Sequence, residues 1–168
     1  DTAYGAMVKS AMGKERGLEY YKTMGFIPMD KADDAVSTTL EYAYDDWCIA
    51  TMAKELNKEN DYQYFMSRAK NYLNVFDEKT KFMRGRFYSG FWKDPFDPIE
   101  PSYLGAGEFT EGNAWQYTWF VPHDIQGLIK AMGGDDLFKE KIDELFLTET
   151  DTSKYQMPSD VTGLIGQY

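Results

Sequence analysis

A carboxylate set among aromatic rings is where acid chemistry is most readily looked for in this sequence. Glu111 stands in Phe109-Thr110-Glu111-Gly112-Asn113-Ala114-Trp115-Gln116-Tyr117, where an irregular stretch passes into a helical pattern. An apolar wall disfavours the charged form of a carboxyl group. A Glu enclosed in this way holds its proton near neutral pH and can donate it to a leaving group, as a glycosidase acid must. The same position also suits an exposed first-turn Glu beside a helix N-terminus, whose dipole favours the charged form. The local sequence leaves both readings open. Gly112 allows a sharp turn or a close backbone approach to a ligand, and either reading accepts it.

Asp45 and Asp46 lie in the middle of a segment that is otherwise mostly apolar, close to Tyr42, Tyr44 and Trp47. A buried carboxylate is costly unless it is paired, so a structural ion pair with Arg84 or Arg86 is the first expectation and a site-lining acid the second. Trp92, Trp115, Trp119, Tyr88, Tyr103 and Phe91 could stack on the apolar faces of sugar rings. Most are expected in the core, with those in the Gly/Pro-rich stretch the better sugar contacts. His123 beside Asp124 could act as acid, base or ligand, but a lone His without a second ligand at suitable spacing reads as structural. Cys48 reads as a small core residue. The sequence has no phosphate-binding Gly loop, no calcium-loop pattern and no Ser/His/Asp set.

Several helices must position these groups. Tyr4, Met7, Val8, Ala11 and Met12 recur at helical spacing after Asp1-Thr2, and Gly13 closes the pattern. Gly17 to Asp34 reads as a connection with at most a short extended piece. Thr38 and Glu41 form a capping box for a helix running to Leu56 that is apolar on nearly every side, hence buried. Asn60 and Gln63 cap the next helix, whose stripe runs from Tyr62 through Phe65, Met66, Ala69, Tyr72 and Leu73 to Phe76 with Gln63, Arg68 and Lys70 towards water. The short connection makes the pair an antiparallel hairpin. Asp77 to Thr110 is a long irregular loop rich in Gly, Pro and aromatic residues, and loops of that length are usually functional. A helical pattern returns at about Asn113 to Phe120. Pro122 suits a first helical position before the stripe Ile125, Leu128, Ile129 and Met132, which Gly133-Gly134 ends. Leu137, Phe138, Ile142, Leu145 and Phe146 build the last clear helix. The fold class is all-α, and a layered ring of hairpins suits these helices better than a four-helix bundle.

The 168 residues suit a single folded domain at 43% apolar, 17% aromatic and 27% charged. A formal net charge of −10 disfavours nucleic acid and anionic lipid as partners. No apolar run approaches the roughly 18 residues of a membrane span, so no membrane insertion is expected. One Cys forms no internal disulfide. Asp1 falls inside a helical pattern and the chain stops at Leu164-Ile165-Gly166-Gln167-Tyr168, so both ends are expected to be cut points in a longer polypeptide.

Four segments carry a resemblance. Thr39-Leu40-Glu41-Tyr42-Ala43-Tyr44-Asp45-Asp46-Trp47-Cys48-Ile49-Ala50, Asn74-Val75-Phe76-Asp77, Met83-Arg84-Gly85-Arg86, and Thr110-Glu111-Gly112-Asn113-Ala114-Trp115-Gln116-Tyr117-Thr118-Trp119-Phe120-Val121-Pro122-His123-Asp124 closely resemble glycoside hydrolase family 92. These are calcium-dependent exo-acting α-mannosidases that invert the anomeric centre. The resemblance implies that residues 1–168 are a single partial domain, about half of an (α/α)6 catalytic toroid. Glu111 matches the family's general acid, and Trp115 and His123 are candidate pocket neighbours. The family's base aspartates are expected in a motif farther downstream and a Gly-Asn-Glu-Pro segment just after Tyr168. The resemblance therefore implies an acid without its base, no metal residue assigned and no complete calcium site within the chain, and calcium in the intact enzyme. Asp45 and Asp46 do not take the base role, which the resemblance places elsewhere.

The partners it implies are mannose-containing glycans and the remainder of the same polypeptide. The compartment it implies is extracytoplasmic: periplasmic, cell-surface or secreted. A terminal α-mannoside, with α-1,2 linkage preferred, is the expected substrate of the intact enzyme, and the isolated chain is expected to be inactive. The rival reading is a non-catalytic helical glycan-binding module. The exposed faces of a half-toroid would also favour self-association.

Overall fold

The longest helix, α3 (Ala35–Glu55), begins without a side-chain cap. The expected capping box of Thr38 and Glu41 instead falls inside the helix. The reason is tertiary: the carbonyls of Gly107 and Glu108 take the N–H groups of Asp34, Val36 and Ser37 at 3.0, 2.9 and 3.3 Å. A distant backbone segment thus satisfies donors that a local cap would otherwise serve. Thr39, wholly buried, donates from Oγ1 to the Ala35 carbonyl and accepts the Ile27 N–H, joining the helix to the chain before it.

The protein is seen here as a computed structural model that describes residues 2–102, 107–155 and 165. It is mostly helical, as the sequence pattern implies. In chain order, α1 (Thr2–Ala11) and α2 (Leu18–Met24) precede α3, and α4 (Glu59–Arg68) follows it. Helix α2 lies in the stretch expected to be a connection. It has only seven residues, too few to display a period, and left-handed Gly17 and Gly25 (φ 80 and 76°) bracket it. Tyr21 and Leu18 bury its inner face.

Helices α3 and α4 form the expected antiparallel hairpin. Alanines 43, 50 and 53 of α3 are 0% exposed, small enough for neighbouring helices to approach closely. Tyr4, Ile49, Ala50, Ala53 and Phe65 make one cluster between α1, α3 and α4. The stripe expected to run to Phe76 ends at Arg68, passes through a 3₁₀ turn (Asn71–Asn74) and enters a strand. Strands β1 (Phe76–Asp77) and β2 (Phe82–Met83) pair antiparallel, Phe76 opposite Met83. The stretch expected as loop therefore opens with a hairpin. Beyond it single bridges link Arg86 with Trp92 and Ser102 with Gly112.

The rest is α5 (Ala114–Tyr117), α6 (Ile125–Met132) and α7 (Asp135–Leu147), followed by a 3₁₀ turn (Thr152–Lys154). The cap of α6 is Asp124, whose carboxylate accepts the Gly127 N–H at 3.0 Å. Pro122 consequently lies before the helix, not at its first position. Gly133 ends α6 as expected, with φ 107°. The main core gathers Val36, Leu40 and Ala43 of α3, Phe76, Phe82 and Met83 of the hairpin, Ala114 and Trp115 of α5, and Leu128 and Met132 of α6.

Candidate functional site

Glu111 follows a backbone segment that α3 holds in place. Thr110 donates its N–H to Ser37 Oγ at 2.8 Å. Its carbonyl accepts the Tyr117 hydroxyl at 2.6 Å. Gly112 exchanges both backbone hydrogen bonds with Ser102, at 2.8 and 3.1 Å. Asn113 caps α5, its side chain accepting the Gln116 N–H while Gln116 Oε1 accepts the Asn113 N–H. Within this frame Glu111 adopts a left-handed backbone with φ 47°. An L-residue pays roughly 1–2 kcal/mol for that conformation, and it persists where the surroundings over-determine it.

The Glu111 side chain is exposed and makes no hydrogen bond or ion pair to the described residues. The described residues do not form the apolar enclosure expected around it. Neither does it sit in the first turn of α5, since Asn113 is the cap and Glu111 lies two residues before it.

Trp115 is 3% exposed. Phe82 meets its indole edge-on, with centroids 4.7 Å apart, and the Lys141 ammonium lies 4.2 Å from its ring centre. Its position is that of a packing residue beneath α5 and not of a pocket neighbour facing a sugar. His123 is half-buried with its Nε2 2.8 Å from the Ala69 carbonyl, an acceptor that requires the proton on that nitrogen. Tyr44, Trp47 and Tyr72 surround the ring, and burial pushes its pKa down. Its Nδ1 is buried without a partner among the described residues. A neutral imidazole within an aromatic box agrees with the structural reading.

Asp46 is buried and paired, as expected, but with Arg68 in place of Arg84 or Arg86. Arg68 Nε donates to Asp46 Oδ2 at 2.8 Å, and the Tyr21 hydroxyl donates to the same oxygen at 2.9 Å. Arg68, expected in water, is 7% exposed. Arg84 binds Asp77 at 2.8 Å, while Arg86 donates to the carbonyls of Asn74 and Gly90. Asp45 is exposed and lines, with Asp46, Cys48 and Arg68, a cleft of about 730 Å³ beside α1. Cys48 is half-buried there, not a core residue. Asp46 lies roughly 14 Å along α3 from Ser37, which carries the Glu111 segment. Of the stacking candidates, Phe91 and Tyr88 are exposed at 75% and 54%, whereas Trp92 lies under the Arg86 guanidinium and Trp119 packs on Phe138. Tyr103 lies outside the described residues.

Sequence reasoning misses Glu108, which is 3% exposed. Its carboxylate accepts the Gly85 N–H at 2.6 Å and Lys93 Nζ at 2.7 Å, tying the long irregular stretch to the start of α3. Ser37 and Tyr117 are missed as well. Only the presence of a charged residue between Gly107 and Phe109 could have flagged the first, since its partners are distant in sequence. Among the described residues no three His, Cys, Asp or Glu side chains are placed to hold a metal ion.

The family model of the glycosyl hydrolase family 92 catalytic domain matches residues 1–168. The chain belongs to that family. The structure of the family GH92 alpha-mannosidase BT3965 from Bacteroides thetaiotaomicron in complex with mannoimidazole is similar to this family 92 chain over 99% of its length and 22% of its own, with 46% identity and a TM-score of 0.88. The inverting mannosidase BT2199 of the same organism matches with 35% identity and a TM-score of 0.79, covering 92% of this chain and 22% of that one. An uncharacterized secreted glycosidase of Arthroderma benhamiae is 32% identical over 181 residues, 86% of this chain and 23% of the relative. The family 92 chain thus spans about a fifth of the length of these relatives.

Proposed function

We propose that this chain is the acid-bearing part of an inverting α-mannosidase that hydrolyses terminal α-mannosides, with α-1,2 linkages preferred, and that Glu111 is its general acid. The observation that carries the reading is Glu111 itself: a carboxylate with no partner among the described residues, on a strained backbone held by Tyr117 and Ser102. Arg16, Asp34, Asn57 and Lys81 share the left-handed backbone; at Glu111 that strain is consistent with a functional constraint. The mannoimidazole complex of a relative 46% identical supports mannose as the sugar.

In this reading Glu111 protonates the glycosidic oxygen as the C1–O bond breaks. A second carboxylate, roughly 6.5–9.5 Å away, takes a proton from the water that attacks C1 from the opposite face. That base comes from outside this chain, as does the rest of the (α/α)6 toroid, whose further helices supply the apolar wall that the described residues do not give Glu111. Trp115 and His123 serve the pocket from behind, by packing. A calcium ion in the intact enzyme would take 6–8 oxygen ligands, and among the described residues no three His, Cys, Asp or Glu side chains are placed to hold it. The likeness to a secreted glycosidase supports an extracytoplasmic location.

The test is release of mannose from an α-mannobioside by the full-length protein, its Glu111→Gln variant and the 168-residue chain. A loss of roughly 10²–10⁴-fold in the variant is expected, with no turnover by the chain alone. Full activity in the variant overturns the acid assignment. Retained mannobioside binding without hydrolysis in any longer polypeptide favours a glycan-binding module. Phe146 and Leu147, 76% and 78% exposed at the end of α7, support self-association of the isolated chain, read by sedimentation.

A further inference from the structure

The backbone conformation of one residue is the rotation between the two peptide planes on either side of its Cα. For Glu111 each of those planes is pinned by a hydrogen bond. The carbonyl of the Thr110–Glu111 plane accepts the Tyr117 hydroxyl at 2.6 Å. The N–H of the Glu111–Gly112 plane donates to the Ser102 carbonyl at 3.1 Å. Tyr117 does more than donate one bond. Its ring stacks on Phe109, with centroids 5.6 Å apart and an interplanar angle of 25°. A Cβ at Gly112 would come within 2.9 Å of its Cε2 and 3.3 Å of its Cδ2. One side chain therefore touches Phe109 and Thr110 and fills the space beside Gly112. Ser37 Oγ completes the hold by accepting the Thr110 N–H at 2.8 Å.

We propose that Tyr117 is a positioning residue for Glu111, its hydroxyl and ring holding the flanking backbone in the left-handed conformation that aims the carboxylate. The proposal rests on the reading of Glu111 as general acid. Without the phenol the Thr110–Glu111 plane is free to turn. Glu111 then relaxes towards negative φ, where L-residues are more stable, and its Cα–Cβ bond swings away from the leaving oxygen. Small displacements of a catalytic group cost rate heavily.

The diagnostic is the leaving group. The leaving oxygen takes the electron pair of the C1–O bond in either case, and a sugar's oxygen departs as a high-energy alkoxide unless it also takes the acid's proton. 2,4-Dinitrophenolate leaves as a stable anion and needs no proton. In the full-length enzyme Glu111→Gln should lose roughly 10²–10⁴-fold on an α-mannobioside and much less on 2,4-dinitrophenyl α-mannoside. Tyr117→Phe, which keeps the ring, should lose about tenfold in kcat on the mannobioside with KM unchanged and little on the aryl mannoside. Ser37→Ala should follow in the same direction, with circular dichroism confirming that each variant is folded.

Equal losses on both substrates in Tyr117→Phe and Ser37→Ala, or no loss on either, overturn the positioning role while a selective Glu111→Gln defect leaves the acid assignment standing. A Glu111→Gln variant without selectivity overturns the acid assignment, and the positioning role with it.

Discussion

Arg68 Nε meets Asp46 Oδ2 at 2.8 Å where the two side chains are only 8% and 1% exposed. The ion pair joins α3 to α4, and the Tyr21 hydroxyl brings in α2 through the same oxygen. Asp46 Oδ1 is buried without a partner among the described residues. Burial pushes the Asp46 carboxyl up to about 6 in spite of Arg68 and Tyr21, whereas the carboxylate holds the Arg68 guanidinium charged. Burial acts against the charge of both partners, but at Arg68 the Asp46 carboxylate and the Tyr64 hydroxyl outweigh it, whereas at the more deeply buried Asp46 it prevails.

Removing Arg68 strands a buried carboxylate. Arg68→Met is expected to cost about 3–5 kcal/mol at pH 7, read from urea unfolding of the chain. The double variant Arg68→Met/Asp46→Leu should recover most of that loss, because two apolar groups need no partner. A double variant as unstable as the single one would mean that packing, not charge, sets the cost.

The pH dependence of the same pair has a definite sign. Because the folded-state pKa of Asp46 lies above the usual value of 3.8, the folded chain binds the extra proton between them. The stability this contributes is full below about pH 4 and is lost as pH rises through 6, by up to about 3 kcal/mol. Unfolding free energies of the wild type, referenced to Asp46→Asn, should decline across that window. A flat difference would show that Arg68 compensates the carboxylate fully.

Gly112 has no room for a side chain. An added Cβ would approach Gln116 Oε1 to 2.8 Å and Tyr117 Cε2 to 2.9 Å. Gly112→Ala should therefore disturb the capping box of α5 and cost about 1–3 kcal/mol, visible as a lower urea midpoint. A midpoint equal to wild type would mean that Gln116 and Tyr117 move aside freely.

Glu111→Gly should separate stability from function. Glycine takes a positive φ without penalty but is more flexible unfolded, so the net expectation is a gain of about 1 kcal/mol or less. Thermal unfolding should show an equal or higher midpoint while mannose release by the full-length protein disappears. A clear loss of stability would mean that the exposed carboxylate makes contacts important to the fold.

Much of the helical framework is legible in the residues themselves. The α3–α4 hairpin, the Gly133 stop and the stripe of α6 follow from local periodicity and turn chemistry, which operate over a few neighbouring positions. Glu111 stood out in the sequence by its place at the hand-over into a helix, but the aromatic enclosure expected around it is not found among the described residues. Three of the expectations that failed show tertiary packing overriding a local pattern. Gly107 and Glu108 replaced the Thr38 cap, Arg68 turned inward to Asp46, and α2 formed between two glycines because Tyr21 and Leu18 found a core.

By itself, then, the order of residues determined a mostly helical chain, its main hairpin and the carboxylate worth testing. Only the tertiary structure decided how that carboxylate is held, for Ser37, Ser102 and Tyr117 act on its backbone through hydrogen bonds that no local pattern announces. Periodicity records which face of an element is apolar. It does not record which donor, many residues away, will meet a given carbonyl, because that depends on the packing of every element between them.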